Sequence, residues 1–297
     1  MATNFSVTDA GVQAYVRDGG VHVSRYRRMR SAVLDAVAAS GGKTYRNLAP
    51  VDTSIPVKSG QTDTQSTDES AVGGSNSYGA SARAMGHMSL IVKGHGDVER
   101  TTAESLMAEL HGTATAGGFG AGLVADKLPA IMAGFDAEYL AGLIGTPTDV
   151  EWDATAPAAT ISTAFATYDE TAYNGDAMIV TRKGARLMGL AVDGNGNYLF
   201  NGPLANAFPV DIPVLYTDAT ATDIGTANLL AVIGPFASCA TGESGSTKVD
   251  VFDQLEATGG GAAERIVSFL VQRYLGFASP AVGVIPASAW TTITDDA

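Results

Sequence analysis

The side chains of this sequence with the greatest capacity for chemistry are its four histidines and its single cysteine, Cys239. The histidines, His22, His87, His95 and His111, are scattered along the chain, and no Cys, Asp or Glu at metal-ligand spacing completes a zinc site around any of them. Cys239 has no His or acid beside it in the sequence, so we expect a buried, inert thiol. The catalytic motifs G-x-S-x-G and H-E-x-x-H do not occur. The sequence therefore predicts a protein that is not an enzyme, with no catalytic residues, no metal and no cofactor.

Two short motifs imitate ligand-binding loops. Asp193, Asn195 and Asn197 match positions 1, 3 and 5 of a calcium-binding loop, but Tyr and Leu occupy the positions that require Gly and a bidentate Glu. The glycine-rich run 117–122 has neither the spacing of a dinucleotide-binding loop nor a following Gly-Lys-Ser/Thr. We therefore expect neither calcium nor nucleotide binding.

The composition is low in charge for a soluble protein. Charged residues make up 16% of the 297 residues, whereas about a quarter is usual. A surface with few charges has more area that neighbouring subunits can cover, which favours a subunit of an assembly. The first residues include no apolar run, and no stretch reaches the length of a membrane span. The sequence therefore predicts no signal peptide, no membrane contact and folding in a cytoplasm.

The net charge of −13 is unevenly distributed, since residues 1–46 carry +4 and the remainder carries −17. An acidic body repels phosphates, so we expect no specific binding of nucleic acid. A basic segment on an acidic body suits docking onto a neighbouring copy. The alternative is a basic helix whose charged face is simply solvated. The arginines predicted to contact a neighbour are Arg25, Arg27, Arg28 and Arg30.

The N-terminal region has one clear helical pattern. Apolar residues, Met29 among them, recur at three- and four-residue spacing over 21–39, and Gly41 and Gly42 follow. Few signals of long-range packing surround this predicted helix. We therefore predict an extended N-terminal arm over residues 1–46.

A polar segment, Ser59 to Gly79, separates two extended runs. The runs are Val51 to Val57 and Ala80 to Val92, and the segment between them lacks both Lys and Arg. This pattern predicts a long two-stranded ribbon with a polar tip, and the alternative is a disordered surface loop. An isolated ribbon is marginal in water and needs a surface to lie on. The residues of this region predicted to contact a neighbour are Lys58, Asp63, Asp68 and Glu69.

The strongest helical pattern is an apolar stripe from Val124 to Ile144. It predicts a helix over 127–144 with Asp126 as N-cap, and a kink at Pro129 if the helix extends back to Phe119. Before it, Asp97 to Thr102 is predicted to lead into a short helix, 103–110. The other predicted elements are helices at 161–168 and from the cap Thr181 to about 190, and strands at 177–180, 212–216, 229–233, 264–277 and 282–285.

The region 190–216 carries a resemblance to a known family. A helix is followed by Leu-x-x-Asp-Gly-x-Gly-x-Tyr-Leu-Phe, then Gly-Pro, a loop and Ile-Pro-Val. This order resembles the axial domain of tailed-phage major capsid proteins of the Hong Kong 97 type. Asp211 departs from it, since the family often has Gly there. Pro286-Ala287 after the last predicted strand is also a frequent ending in this family. The element order is similar over 47–290, and the sequence detail only over 178–216 and 264–290.

The resemblance implies an α+β fold of the Hong Kong 97 type. Its parts would be an N-terminal arm (1–46), an extended β-hairpin loop (47–96), a peripheral domain with a long spine helix (97–155 and 263–297) and an axial domain (156–262). The implied function is that of a structural virion protein. It would self-assemble, in the host cytoplasm, into the pentamers and hexamers of an icosahedral phage head that encloses DNA. The alternative is the shell of an encapsulin-type nanocompartment, which has the same fold.

The resemblance also implies partners. These are other copies of the chain, a separate scaffolding protein, a portal, decoration proteins and DNA contacted non-specifically. The type member of the family joins a lysine of its extended loop to an asparagine near the C-terminus of a neighbour. Lys58 is a candidate for that lysine, but no Asn follows Asn228. We therefore predict a shell without covalent cross-links.

Overall fold

The structure is a computed structural model that describes residues 28–49, 52–61, 83–102, 118–143, 147–169, 176–191, 212–226, 228–258, 262–279 and 289–295. Its helices are α1 (Ala32–Ala39), α2 (Gly118–Leu143), α3 (Pro157–Asp169), α4 (Arg182–Gly189) and α5 (Ala221–Ile224). Its strands are β1 (Lys43–Arg46), β2 (Asp52–Gln61), β3 (Arg83–Ile91), β4 (Lys93–Thr102), β5 (Thr148–Glu151), β6 (Ala177–Val180), β7 (Val214–Tyr216), β8 (Leu229–Gly234), β9 (Ala240–Thr258), β10 (Ala262–Ala278) and β11 (Thr291–Thr294).

A long antiparallel hairpin, β9 with β10, forms the centre of a four-stranded sheet with the order β1-β9-β10-β4. The predicted strand at 264–277 is therefore confirmed. The segment Asp97 to Thr102, which was predicted only as the approach to a short helix, forms the C-terminal part of β4. β4 pairs with β10 along its whole length, from Lys93 opposite Leu275 to Thr102 opposite Ile266. The predicted helix at 103–110 lies outside the described residues.

The second sheet has five strands in the order β5-β11-β8-β6-β7. The predicted strands β6, β7 and β8 are confirmed, whereas β5 and β11 were not predicted. Their pairing is reinforced by side chains, since the Oγ1 atoms of Thr292 and Thr294 donate to Asp149 Oδ1 at 2.8 and 3.1 Å. This sheet joins segments from both predicted domains. The predicted strand at 282–285 and the turn at 193–197 lie outside the described residues.

Helix α2 packs on the four-stranded sheet on one side and on α1 and α5 on the other. On one side Ile131 contacts Val267, Phe269 and Val271 of β10. On the other side α2 contributes to the largest core cluster, which also contains residues of α1, β6 and β8. The helix begins at Gly118 and runs through Pro129, so Asp126 is inside it and is not the N-cap. Burial of residues between Leu128 and Leu143 stabilises the helix, since most helical stability in a protein comes from packing and not from intrinsic propensity.

Helix α1 is a core element. It begins at Ala32 with Ser31 as N-cap, whose Oγ accepts a hydrogen bond from Leu34 N at 3.2 Å. Residues 28–31 are not helical and Met29 is 50% exposed, so the predicted start and the place of Met29 in the apolar stripe are wrong. Gly41, with φ +81°, follows the helix as predicted. From Ser31 onward the region that we predicted as an arm is therefore part of the folded body.

Helices α3 and α4 cover the five-stranded sheet. The predicted cap of α4 is confirmed, because Thr181 Oγ1 accepts from Gly184 N at 3.2 Å. α3 is longer than predicted and buries Ile161 and Ala164 against Trp152. The two helices complete a second core cluster.

Candidate functional site

The ribbon formed by β2 and β3 is the feature of this fold best suited to reach another molecule. The strands are antiparallel, from Asp52 opposite Ile91 to Gln61 opposite Arg83, which confirms the predicted two-stranded ribbon. Neither strand pairs with another described strand. Its polar tip lies outside the described residues.

The ribbon is anchored at its base by a small apolar cluster. Ile55, Met88 and Leu90 are buried and pack with Ala240 and Ala278 of the four-stranded sheet. Ile91, next in sequence to the fully buried Leu90, is 42% exposed. Only Val92 separates β3 from β4. The orientation of the ribbon is therefore set by this cluster and by the pairing of β4 with β10.

Three of the predicted contact residues, Arg28, Arg30 and Lys58, lie in the part of the chain that the structure describes. Lys58 lies in β2 opposite Met85, within the ribbon. Arg30 is exposed just before α1. Arg28 is half-buried and also lies before α1. The remaining candidates, Arg25, Arg27, Asp63, Asp68 and Glu69, lie outside the described residues.

Arg28 is held by contacts within the chain. Its backbone N donates to Asp218 Oδ2 at 2.7 Å, its guanidinium donates to the Tyr216 carbonyl oxygen, and it lies 4.0 Å from an Asp35 carboxylate oxygen. The other oxygen of Asp218 accepts two hydrogen bonds from Arg182, at 2.9 and 2.8 Å. These contacts tie Arg28 to Asp35, Tyr216 and Asp218 of its own chain.

Asp136, in the middle of α2, is the most deeply buried carboxyl group of the described chain. Its oxygens accept from Ala32 N at 3.0 Å, Val33 N at 3.2 Å and Thr217 Oγ1 at 2.7 Å, and from Ser31 Oγ. Desolvation raises the pKa of this carboxyl, and the four hydrogen bonds oppose that shift. Asp136 therefore joins the N-terminus of α1, the long helix and the loop after β7.

Sequence reasoning missed Asp136. The only available signal was an acid inside an apolar helical stripe, which a solvent-exposed position explains equally well. Four donors converge on it from parts of the chain that are 81 to 105 residues away. Only the tertiary structure brings them together.

The described residues offer little for ligand chemistry. They contain no group of three or more His, Cys, Asp or Glu side chains that could hold a metal ion. Cys239 is buried, and desolvation raises the pKa of its thiol well above the ordinary value, so the reactive thiolate is suppressed. Residues 118–122 belong to α2 and do not form a loop. The calcium-like motif lies outside the described residues.

None of the described helices combines the length and apolar character that are needed to cross a bilayer.

Comparison with known proteins gave matches only at the level of structure. No protein-family model matches the sequence, and no curated protein matches it either. Among solved structures, a chain from Mycobacterium phage Bobi superposes with a TM-score of 0.59 at 13% identity and covers 94% of both chains. A chain from Microbacterium phage Oxtober96 gives a TM-score of 0.58 at 15% identity, again over 94% of both chains.

The capsid of the empty GTA particle is a further match. Its chain has a TM-score of 0.53 at 15% identity, and the alignment covers 100% of both chains. The likeness therefore extends over essentially the entire chain and is not confined to one motif. This protein has the fold of these phage and capsid chains, as the resemblance found in its sequence implied.

Proposed function

We propose that this chain is a major capsid protein, which self-assembles into the pentamers and hexamers of an icosahedral phage head that encloses DNA. The observation that carries the proposal is the match of the whole chain, end to end, to a chain of the GTA capsid. At 15% identity the likeness concerns the fold, so the functional step is our inference.

The ribbon supports this proposal because no third described strand pairs with it. Two-stranded ribbons are marginal in water, and the described side chains that anchor this one lie at its base. A surface on a neighbouring subunit would supply the missing contacts. We infer that the ribbon reaches across a subunit boundary, and that Lys58, Asp63, Asp68 and Glu69 contact the neighbour.

The charge distribution supports the same proposal. Residues 1–46 carry a net charge of +4 and the remaining residues −17, so a basic region of one copy can attract an acidic surface of the next. Arg28 is committed to contacts within its own chain. We therefore assign the intermolecular role to Arg25, Arg27 and Arg30.

The proposal extends to partners and domains. We infer a separate scaffolding protein, a portal, decoration proteins and non-specific contact with packaged DNA. Residues 1–27 would be the arm, and α2 would be the spine helix of the peripheral domain. The strands β5 and β11 pair with β8, so we assign them to the axial part, which the sequence-based boundaries did not do.

Electron microscopy of the purified, expressed chain tests the function. We expect closed particles of uniform diameter and an early-eluting peak in size-exclusion chromatography. A stable monomer at micromolar concentration, with no particles at any salt concentration, would overturn the proposal. Uniform particles that enclose a specific protein cargo in place of DNA would support an encapsulin-type compartment instead.

A further inference from the structure

His95 is a residue of strand β4, and its side chain packs against the long helix α2. Its side chain is 13% exposed. Its ring packs edge-on against Phe135, with 5.1 Å between centroids, and lies 6.4 Å from the ring of Tyr139. A cavity of about 700 Å³ opens beside it between β4 and α2. His95 is thus an aromatic contact that fastens β4 to the helix.

The surroundings of the two ring nitrogens favour the neutral imidazole. Nε2 is buried and has no hydrogen-bond partner. Nδ1 lies 3.8 Å from Glu138 Oε2, beyond the length of a good hydrogen bond. An imidazolium carries an N–H on both nitrogens, so protonation would bury a donor at Nε2 without an acceptor.

The charged and titratable groups around His95 come from every element that packs there. Lys93 lies on the same strand, with its Nζ 3.6 Å from Glu138 Oε1, and Arg273 lies directly opposite His95 in the β4–β10 ladder. Asp97 and Asp223 line the cavity. Tyr139 of α2 is a further titratable group near the ring. Glu138 is shared with Lys93, so it offers an imidazolium only part of its charge.

Burial is the main cause that lowers the pKa of His95 below its ordinary value of 6.5, Glu138 opposes this, and Lys93 adds to it. The unfolded or locally opened chain binds the proton more readily than the closed one. The closed state is therefore favoured above about pH 6.5 and becomes less stable as the pH falls through 6.5 toward the lowered pKa.

We propose that His95 is an acid-sensitive latch, which holds β4 on α2 when neutral and releases it when protonated. The cavity beside the ring gives the imidazolium room to swing toward water. Only Val92 separates β4 from β3, so loosening of β4 also loosens the base of the ribbon. The latch thus lets pH set how firmly the ribbon is held. This is a property of the chain itself and does not depend on shell formation.

Hydrogen exchange of the full-length protein at pH 7.5 and pH 5.5 tests the latch. After correction for the intrinsic pH dependence of exchange, we expect the opening of β4 to increase on acidification by up to about tenfold per pH unit, the limit for one linked proton. His95→Phe keeps an aromatic ring and cannot be protonated, so its β4 should open equally at both values. His87→Gln is the matched control, since His87 is an exposed histidine on the neighbouring strand β3, and it should behave as the parent protein does.

Three results would overturn the proposal. The first is equal opening of β4 at both pH values in the parent protein. The second is an unchanged pH response in His95→Phe, or in His95→Gln if the Phe variant does not fold. The third needs no variant, because an imidazole titration of the parent protein by NMR that places the midpoint of His95 at or above 6.5 would remove the physical basis of the latch.

Discussion

At the scale of single residues, Asp136 decides whether three distant segments are held together. Each oxygen of this carboxylate accepts two hydrogen bonds, and all the donors come from Ser31, Ala32, Val33 and Thr217. Its backbone contacts also place negative charge at the N-terminus of α1, where the helix dipole favours it. This buried acid therefore contributes to capping the N-terminus of α1 from another part of the chain.

Asp136→Asn should destabilise the protein by roughly 1–3 kcal/mol, because the amide NH₂ must face buried donors wherever it points. Urea unfolding monitored by circular dichroism measures the loss. Glu151→Gln, at an exposed position of β5, is the control and should change stability by less than about 0.5 kcal/mol. Equal stabilities of the two variants would contradict the role assigned to Asp136.

Cys239 should be unreactive in the folded protein. It is 1% exposed, and burial suppresses its thiolate. We expect no labelling by a thiol reagent at pH 8 under native conditions and one label per chain in denaturant. Rapid native labelling would mean that the segment between β8 and β9 opens readily.

At the scale of elements, the ribbon depends on a few buried side chains at its base. Leu90 is fully buried in that cluster, whereas its neighbour Ile91 is exposed. Substitution of Leu90 therefore tests how the ribbon is anchored, and substitution of Ile91 tests the contacts of the ribbon with other molecules.

Leu90→Ala should destabilise the fold by about 2–5 kcal/mol, the range for truncation of a buried leucine. Ile91→Ala should leave stability nearly unchanged but weaken assembly, because an exposed isoleucine at the ribbon base is available to a neighbour. Thermal unfolding and particle yield by size-exclusion chromatography report the two effects. If neither variant forms fewer particles than the parent protein, the ribbon base does not take part in assembly.

Two glycines, Gly134 and Gly234, should respond in opposite ways to alanine. A Cβ at Gly134, inside α2, meets nothing within 4 Å, so alanine should stabilise the helix by about 0.5–1 kcal/mol. A Cβ at Gly234, in β8, would collide with the indole ring of Trp290, so alanine there should be destabilising. Chemical unfolding of the two variants measures both signs, and stabilisation by Gly234→Ala would contradict this packing.

At the scale of the whole molecule, the acidic body requires that attraction between subunits offset repulsion of like charges. Contacts of the basic N-terminal segment are exposed to screening, and apolar contacts are not. Assembly should therefore depend on ionic strength.

We expect assembled particles to lose subunits as NaCl is raised from low to molar concentration, and Arg25→Gln with Arg27→Gln to reduce that salt dependence because the screened attraction is removed. Light scattering, recorded as NaCl is raised, measures the loss of subunits.

On a denaturing gel, boiled particles should run as a single band near 30.4 kDa, in agreement with the absence of Asn after Asn228. A ladder of multimers would refute the prediction of a shell without cross-links.

The sequence by itself determined the elements whose signals are local. Periodic apolar residues predicted the body of α2, Thr181 predicted the start of α4, and apolar runs predicted β6, β8 and β10. The polar segment between two extended runs predicted the ribbon. In each case the signal is a pattern of side chains within a few residues of one another, so it is visible without the fold.

The tertiary structure alone decided which elements became core and how far they extend. The first turns of α2 are helical in spite of Gly118, Gly120 and Gly122, β4 is a strand because β10 pairs with it, and β11 is buried although it is mostly threonine. Asp136 and His95 acquire their roles from partners far away in sequence. Pairing, burial and desolvation depend on what the fold brings alongside a residue, and no local pattern in the chain encodes that.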